Sequence, residues 1–359
     1  MKNRNHALDF LKFYFIFFVV LFHFYEQTYE HFGKGWMAVD TFAIISGLFL
    51  FQTINKKGEL SDPYIYIYIR FKRFFPYILV AYIITFLVQV FYISPPSSVQ
   101  DWENILLNGL SEISVLDIYM LAFGRWPINA PAWTVSIIFL VECIIYCCAW
   151  YSKRLFKGLI LPVSFILACV VYTRYDISPT GDNRFHLEAC RIWIDICISL
   201  LCFQVAHKIQ KIAATSSGRT AITVLELVSH AVFLMLVNSK TSGNYYWAGL
   251  MISVFMVSVA YSQASYLAAL VKKIGIAPHL ANLSLGIYLT HRSVLLYFFS
   301  KYADPYVRYS HKFEFVAAVF AVAVLYNMGL KAAFKIWKKT RFAALWQNEA
   351  ATCHLKRRL

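Results

Sequence analysis

Charge is scarce in this chain: Asp, Glu, Lys and Arg make up 15% of its 359 residues, and acidic residues are the scarcer sign, 19 against 34 Lys and Arg. Soluble domains carry about 25% charged residues. With 59% hydrophobic residues and a mean hydropathy of +0.55, the shortage excludes an ordinary soluble fold. The net charge of +15 does not point to nucleic acid, because no basic stretch is joined to a soluble fold that would present it. Anionic lipid head groups and an anionic cytosolic ligand are the expected partners. The eight cysteines follow no metal or disulfide spacing, and seven lie in or beside apolar runs, where they read as packing residues. No phosphate loop, zinc signature or nucleophile elbow occurs in a fitting context. Neither a repeat of fixed period nor an inverted pair of Gly/Pro-broken helices is apparent.

What the chain does have is apolar runs of helix-spanning length from end to end. They predict helices over 8–25, 37–54, 75–94, 132–151, 159–172, 191–206, 221–237, 246–263, 283–300 and 313–334, hence an all-α polytopic membrane protein of about ten transmembrane helices. The first run continues through His23 without an A-x-A-like site and carries Asp9 and Lys12 near its start, so it reads as a retained helix rather than a cleaved signal. Placing both termini in the cytoplasm puts about 22 Lys and Arg in cytoplasmic segments against about 8 outside. One membrane domain over 1–340 and a basic cytoplasmic tail over 341–359 are expected. The outer segment 95–131, bounded by prolines and holding Trp102 and Trp126, has the size of a small external lid.

Ionisable groups inside a span are expensive, and each is a candidate for function. Lys12 and His23 are eleven residues apart, which puts them on one helix face about 16 Å apart along the axis, with Asp9 three residues before Lys12. That stripe runs from an ion pair at the cytoplasmic mouth to an imidazole expected near mid-membrane. The bland alternatives are a snorkelling Lys12 and a structural hydrogen bond for His23. Asp40 precedes Ser46 and Gly47, small residues that allow close helix approach. Arg191 with Asp195, and Glu226 with His230, have i, i+4 spacing and are expected to pair. Ser284, Tyr288, His291 and Arg292 bring polar groups into the ninth span. A histidine in a dry site is suited to act as general base for a hydroxyl attacking an activated acyl group, beside a cation that stabilises the oxyanion.

These residues carry a resemblance. Leu8-Asp9-Phe10-Leu11-Lys12 through Leu21-Phe22-His23, Val39-Asp40-Thr41-Phe42 with Ser46-Gly47-Leu48, and Arg70-Phe71-Lys72-Arg73-Phe74-Phe75-Pro76-Tyr77 follow one another in order. Pro131-Ala132-Trp133-Thr134-Val135-Ser136 and Ser284-Leu285-Gly286-Ile287-Tyr288-Leu289-Thr290-His291 complete the set. Together they resemble the acyltransferase-3 integral-membrane O-acyltransferases of bacterial envelope glycans, over nearly the whole chain. Two positions depart from the family pattern: Lys12 stands where the family has arginine, and Ile138 stands where a glutamate is common, with Glu142 one turn later.

The resemblance implies an O-acyltransferase of the bacterial plasma (inner) membrane that moves an acyl group, acetyl in most of the family, from acyl-coenzyme A to a hydroxyl of an envelope glycan or lipid-linked sugar. Acetyl-coenzyme A is then a co-substrate, with no permanently bound cofactor and no metal. It implies His23 as base with Lys12 and Asp40 in the catalytic group, and Arg70, Arg73, Lys72 and Ser46 toward the donor. Trp133, Ser136, Glu142, Tyr288 and His291 are implied around the acceptor or behind the reacting groups. A glycan transporter or flippase, and an inactive family member, are the alternatives that the residues leave open.

Overall fold

The computed structural model describes residues 4–25, 31–56, 60–93, 95–113, 129, 131–174, 185–239 and 245–337. The described residues are helical with no strand, as a chain must be whose backbone polar groups have no water to satisfy them. In order, the helices are α1 (His6–Tyr25), α2 (Met37–Asn55), α3 (Pro63–Val88), α4 (Val99–Ile113), α5 (Ala132–Tyr151), α6 (Leu161–Arg174), α7 (Phe185–Ile212), α8 (Ser216–Val237), α9 (Tyr246–Ser262), α10 (Tyr266–Ile274), α11 (Ala277–Lys301), α12 (Pro305–Ser310) and α13 (Lys312–Trp337).

Among the described residues, eight helices are long and apolar enough to cross a membrane, and nine if α9 and α10, bent by 61° at Gln263, form one broken span. The protein is a multi-pass all-α membrane protein. Ten were expected; the remaining one, α11, is 25 residues long but is diluted by Pro278, His279, Asn282, Ser284, His291 and Arg292. Several helices outrun the apolar segments that announced them. Expected from residue 75, α3 begins at Pro63, where Asp62 caps the Tyr64 amide, and it carries the basic motif and Pro76 before ending in one π-turn, Gln89–Ile93. Similarly, α7 extends to 28 residues because its polar ends are helical as well. Of the outer segment, α4 is described; Trp126 and the basic tail 341–359 lie outside the described residues.

Helix α1 sits centrally, packed against α2, α9, α10 and α11, while α7 packs on α2, α6 and α9. The core is a continuous apolar cluster that includes Phe15, Phe24, Phe51, Tyr146, Phe233 and Phe315. Outward faces of α6, α8 and α13 leave Ile166, Leu167, Val224, Leu225, Leu325 and Met328 exposed, an apolar surface that lipid solvates. Gly47 sets the contact of α2 with α7. A Cβ there would meet the Ser199 hydroxyl at 2.6 Å and the Ile196 carbonyl oxygen at 2.7 Å. Thr41 and Ser253 join α2 to α9 by a buried hydroxyl pair at 2.9 Å. The seven described cysteines are free thiols.

Candidate active site

Two histidines from distant parts of the sequence face one another. His23 lies in the last turn of α1, and its ring centroid is 5.2 Å from that of His291 on α11. His291 is fully buried, and its Nδ1 sits 2.7 Å from the Tyr288 carbonyl oxygen and 3.2 Å from that of Ile287. Those acceptors hold the proton on Nδ1 and leave Nε2, which has no hydrogen-bond partner, as a bare lone pair. Tyr288 lies 6.0 Å from His291 between ring centroids and 6.3 Å from Phe42 of α2. Its hydroxyl lies beside Thr134 of α5. Asn129, just before α5, is buried and donates to the Leu289 carbonyl at 2.9 Å, tying the start of α5 to the same turn of α11.

Beside this cluster, Arg191 of α7 lies fully buried between carboxyls. Its Nε is 3.3 Å from Asp40 of α2, its Nη2 is 2.6 Å from Glu188, and its guanidinium lies 5.1 Å from the Trp36 ring. The expected Arg191–Asp195 pair is replaced: Asp195 accepts from the Tyr246 hydroxyl at 2.8 Å. Helical spacing allowed the i, i+4 pair, but packing brought α2 and α9 to the two groups instead. The other expected pair also gives way. Glu226 lies beside Ser265, and the His230 ring sits edge-on to Tyr14 at 4.9 Å.

Lys12 belongs to a different place. It lies 3.8 Å from Asp9, which also pairs with Arg4, and 4.9 Å from the Phe49 ring centroid, about 16 Å along α1 from His23. The expected separation of the two along one helix holds, and His23 is two residues from the end of α1 as described. Arg70 is not a free phosphate ligand either. It pairs with Glu142, which is wholly buried and also accepts from the Ser46 hydroxyl at 2.5 Å. Ser46, Arg70 and Glu142 thus form one link between α2, α3 and α5. Lys72 and Arg73 are exposed on α3, Lys72 lying 5.7 Å from the Tyr68 ring. On α5, Trp133 packs against the core and Ser136 donates to the Ala132 carbonyl at 3.3 Å. Among the described residues no group of three or more His, Cys, Asp or Glu is placed to hold a metal.

An Acyltransferase-domain family model of the acyltransferase-3 type matches residues 5–328. The chain belongs to the acyltransferase-3 family. No curated protein and no solved structure is significantly similar to it. The match spans α1 through most of α13, and therefore takes in the histidine pair, the Arg191 cluster and the Ser46–Arg70–Glu142 link together. Sequence reasoning placed His23, His291, Asp40 and Tyr288 among the candidates. It missed Thr134 and Asn129, which are ordinary polar residues until α5 and α11 are docked. Arg191 was visible as a charge in an apolar run, and only its partners were misassigned.

Proposed function

We propose that this membrane acyltransferase moves an acyl group, acetyl in the simplest case, from acyl-coenzyme A at the cytoplasmic side to a hydroxyl of an envelope glycan or lipid-linked sugar in the bacterial plasma membrane. The observation that carries the reading is the His23–His291 pair in the bundle of an acyltransferase family member, one ring of which keeps an unprotonated, unpartnered nitrogen.

His23 accepts the proton of the acceptor hydroxyl as its oxygen attacks the thioester carbonyl carbon. The tetrahedral oxyanion collapses, the C–S bond breaks, and the departing thiolate takes the proton back from the imidazolium. Free coenzyme A and an O-acyl ester result. A positioned base of this kind contributes about 10²- to 10⁴-fold. His291 acts as a positioning residue, its Nδ1–H held by the α11 backbone and its ring beside that of His23. Lys12 is too far along α1 to stabilise the oxyanion and serves the donor end. Tyr288, Thr134 and the buried Arg191–Asp40 pair hold α2, α5, α7 and α11 around the histidines.

The test is release of free coenzyme A from acetyl-coenzyme A by purified protein in nanodiscs with membrane glycan extract, comparing the parent chain with His23→Ala. Glycan-dependent release that falls at least 10²-fold in the variant is the expected result. A folded parent protein with no release from acetyl or longer donors overturns it in favour of a transporter or an inactive member, and release retained by His23→Ala removes His23 from the role of base.

A further inference from the structure

At the end of the bundle where α3 gives way to its π-turn lies a polar cavity of about 540 Å³, lined by Gln89, Asp101, Asn104, Asn108, Arg292 and Leu296. The π-turn, α4 and α11 supply these residues, and none of them has a part in the acyl transfer described above. Arg292 directly follows His291 in α11, a rise of about 1.5 Å along the axis, so the cavity reaches the level of the histidine pair. On the same turn the hydroxyls of Thr85 and Ser293 pair at 2.7 Å and join α3 to α11.

Helix α4, one wall of this cavity, is turned inside out for a helix on a water-facing surface. Val99, Trp102, Leu106 and Leu110 share one face, where Val99, Leu106 and Leu110 are 75%, 57% and 65% exposed. Asp101, Asn104 and Asn108 lie on the opposite face and line the cavity. Contact with α3 fixes this rotation: the Tyr82 hydroxyl donates to the Ile105 carbonyl at 3.4 Å, and Gly109 lies so close that a Cβ there would collide with the same hydroxyl. A helix with its apolar face outward and its polar face inward rests in the head-group boundary of a bilayer rather than in water. The exposed Tyr92 of the π-turn and Tyr297 of α11, 6.1 Å apart between ring centroids, mark the same depth, as aromatic residues do at a membrane–water interface.

We infer that this cavity holds the neutral sugar of a lipid-linked acceptor that enters sideways from the bilayer beside α4, an inference that rests on the acyltransferase reading. The polar lining consists of three amides, one carboxylate and one guanidinium, groups that recognise hydroxyls by giving and accepting hydrogen bonds. Asp101 and Arg292 bring one charge of each sign, so the lining carries no net charge and suits a neutral sugar better than a polyanion. Asp101 is already engaged by the Ser97 and Ser98 amides, which leaves the amide side chains as the readers.

Among them Asn108 stands out. Its Oδ1 is shielded from solvent and has no hydrogen-bond partner, an uncommon state for a buried acceptor. Turning the amide about its soft χ2 torsion offers that oxygen to a sugar hydroxyl in the cavity. The exposed apolar face of α4 then runs beside the lipid's chain, while the sugar sits between α4 and α11 with a hydroxyl at the level of His23 and His291.

Photolabelling of the full chain in nanodiscs tests this with dodecyl glucoside, dodecyl galactoside and dodecyl N-acetylglucosaminide, each carrying a diazirine on the alkyl carbons next to the sugar. At least one of the three is expected to label the segments 89–108 and 292–296, and the matching methyl glycoside, which has no chain, should compete far less well than the dodecyl form. Asn104→Ala/Asn108→Ala and, separately, Arg292→Gln should each cut labelling about tenfold, with thermal unfolding of the variants confirming their fold. Equal labelling by a diazirine-bearing dodecanol, labelling confined to other segments, or labelling unchanged in both variants overturns the cavity, and where a variant does not fold, the segments labelled in the parent chain decide. A methyl glycoside that competes as well as the dodecyl form overturns the lipid-linked occupant in favour of a water-soluble glycan. Coenzyme A release in the same nanodiscs separates the two readings: release without labelling of these segments removes this site and leaves the transferase standing, whereas labelling without release removes the transferase.

Discussion

The Arg70–Glu142 pair should show an asymmetric response to removal of either partner. Glu142 is wholly buried and accepts from Ser46, whereas the Arg70 side chain keeps 16% of its surface exposed and lies 5.6 Å from the Phe74 ring and 5.9 Å from the Tyr66 ring. Stranding one member of a buried pair costs about 3–5 kcal/mol. Glu142→Gln leaves a guanidinium that still has water and two aromatic faces, which puts its penalty at the lower end, about 3 kcal/mol. Arg70→Met leaves a carboxylate with only the Ser46 hydroxyl. That puts its penalty at the upper end, about 5 kcal/mol. Stability is read as the free energy of denaturation in an SDS titration. Glu142→Gln should lose about 3 kcal/mol, Arg70→Met about 5 kcal/mol, and the double Arg70→Met/Glu142→Met variant should lie within about 1 kcal/mol of the parent. Single variants within about 0.5 kcal/mol of the parent, or equal losses in both, refute the reasoning.

Gly47→Val places a side chain against the Ile196 backbone and should destabilise by about 3 kcal/mol or more in the same titration, with Gly47→Ala intermediate. His291→Phe should lower turnover about 10²-fold with the acyl-coenzyme A KM unchanged and should move the acid limb of the pH–rate profile in the coenzyme A release assay; an unaltered profile assigns His291 a packing role. Asp40→Asn should reduce stability through Arg191, whereas Asp195→Asn should be milder because an amide still accepts from Tyr246; equal losses in thermal unfolding would contradict this order. Asp101, at the start of α4, sits in a knot of bonds with Ser98 and Ser97: its carboxylate accepts from both amides and the Ser97 hydroxyl, its amide donates to the Ser98 hydroxyl, and these bonds hold its carboxyl below the ordinary carboxylate range. Its contribution is present at neutral pH and lost as pH falls through the lowered value, so the amide-exchange protection factors at the start of α4, corrected for the intrinsic rate at each pH, should fall in acid, and Asp101→Ala should show the lowered protection already at pH 7.

The amino-acid sequence by itself determined that this is an all-α multi-pass membrane protein of the acyltransferase-3 family. Both follow from local facts: a run of some twenty apolar residues needs no partner to be recognised, and motif order is a property of the chain. Helix ends were less legible, since α3 and α7 continue into polar residues that hydropathy does not count. Helix partners were not legible at all. Arg191 has carboxyls at Glu188 and Asp195 on its own helix and at Asp40 on another, and only the packing of α2 against α7 across Gly47 chose among them. His23 and His291 are 268 residues apart in the chain, and the docking of α1 on α11 brought their ring centroids to 5.2 Å. Arg70 was equally ready, by sequence, to meet a phosphate or a carboxylate; the buried Glu142 of α5 took it, because a charge inside a helical bundle settles on the nearest opposite charge that the packing supplies.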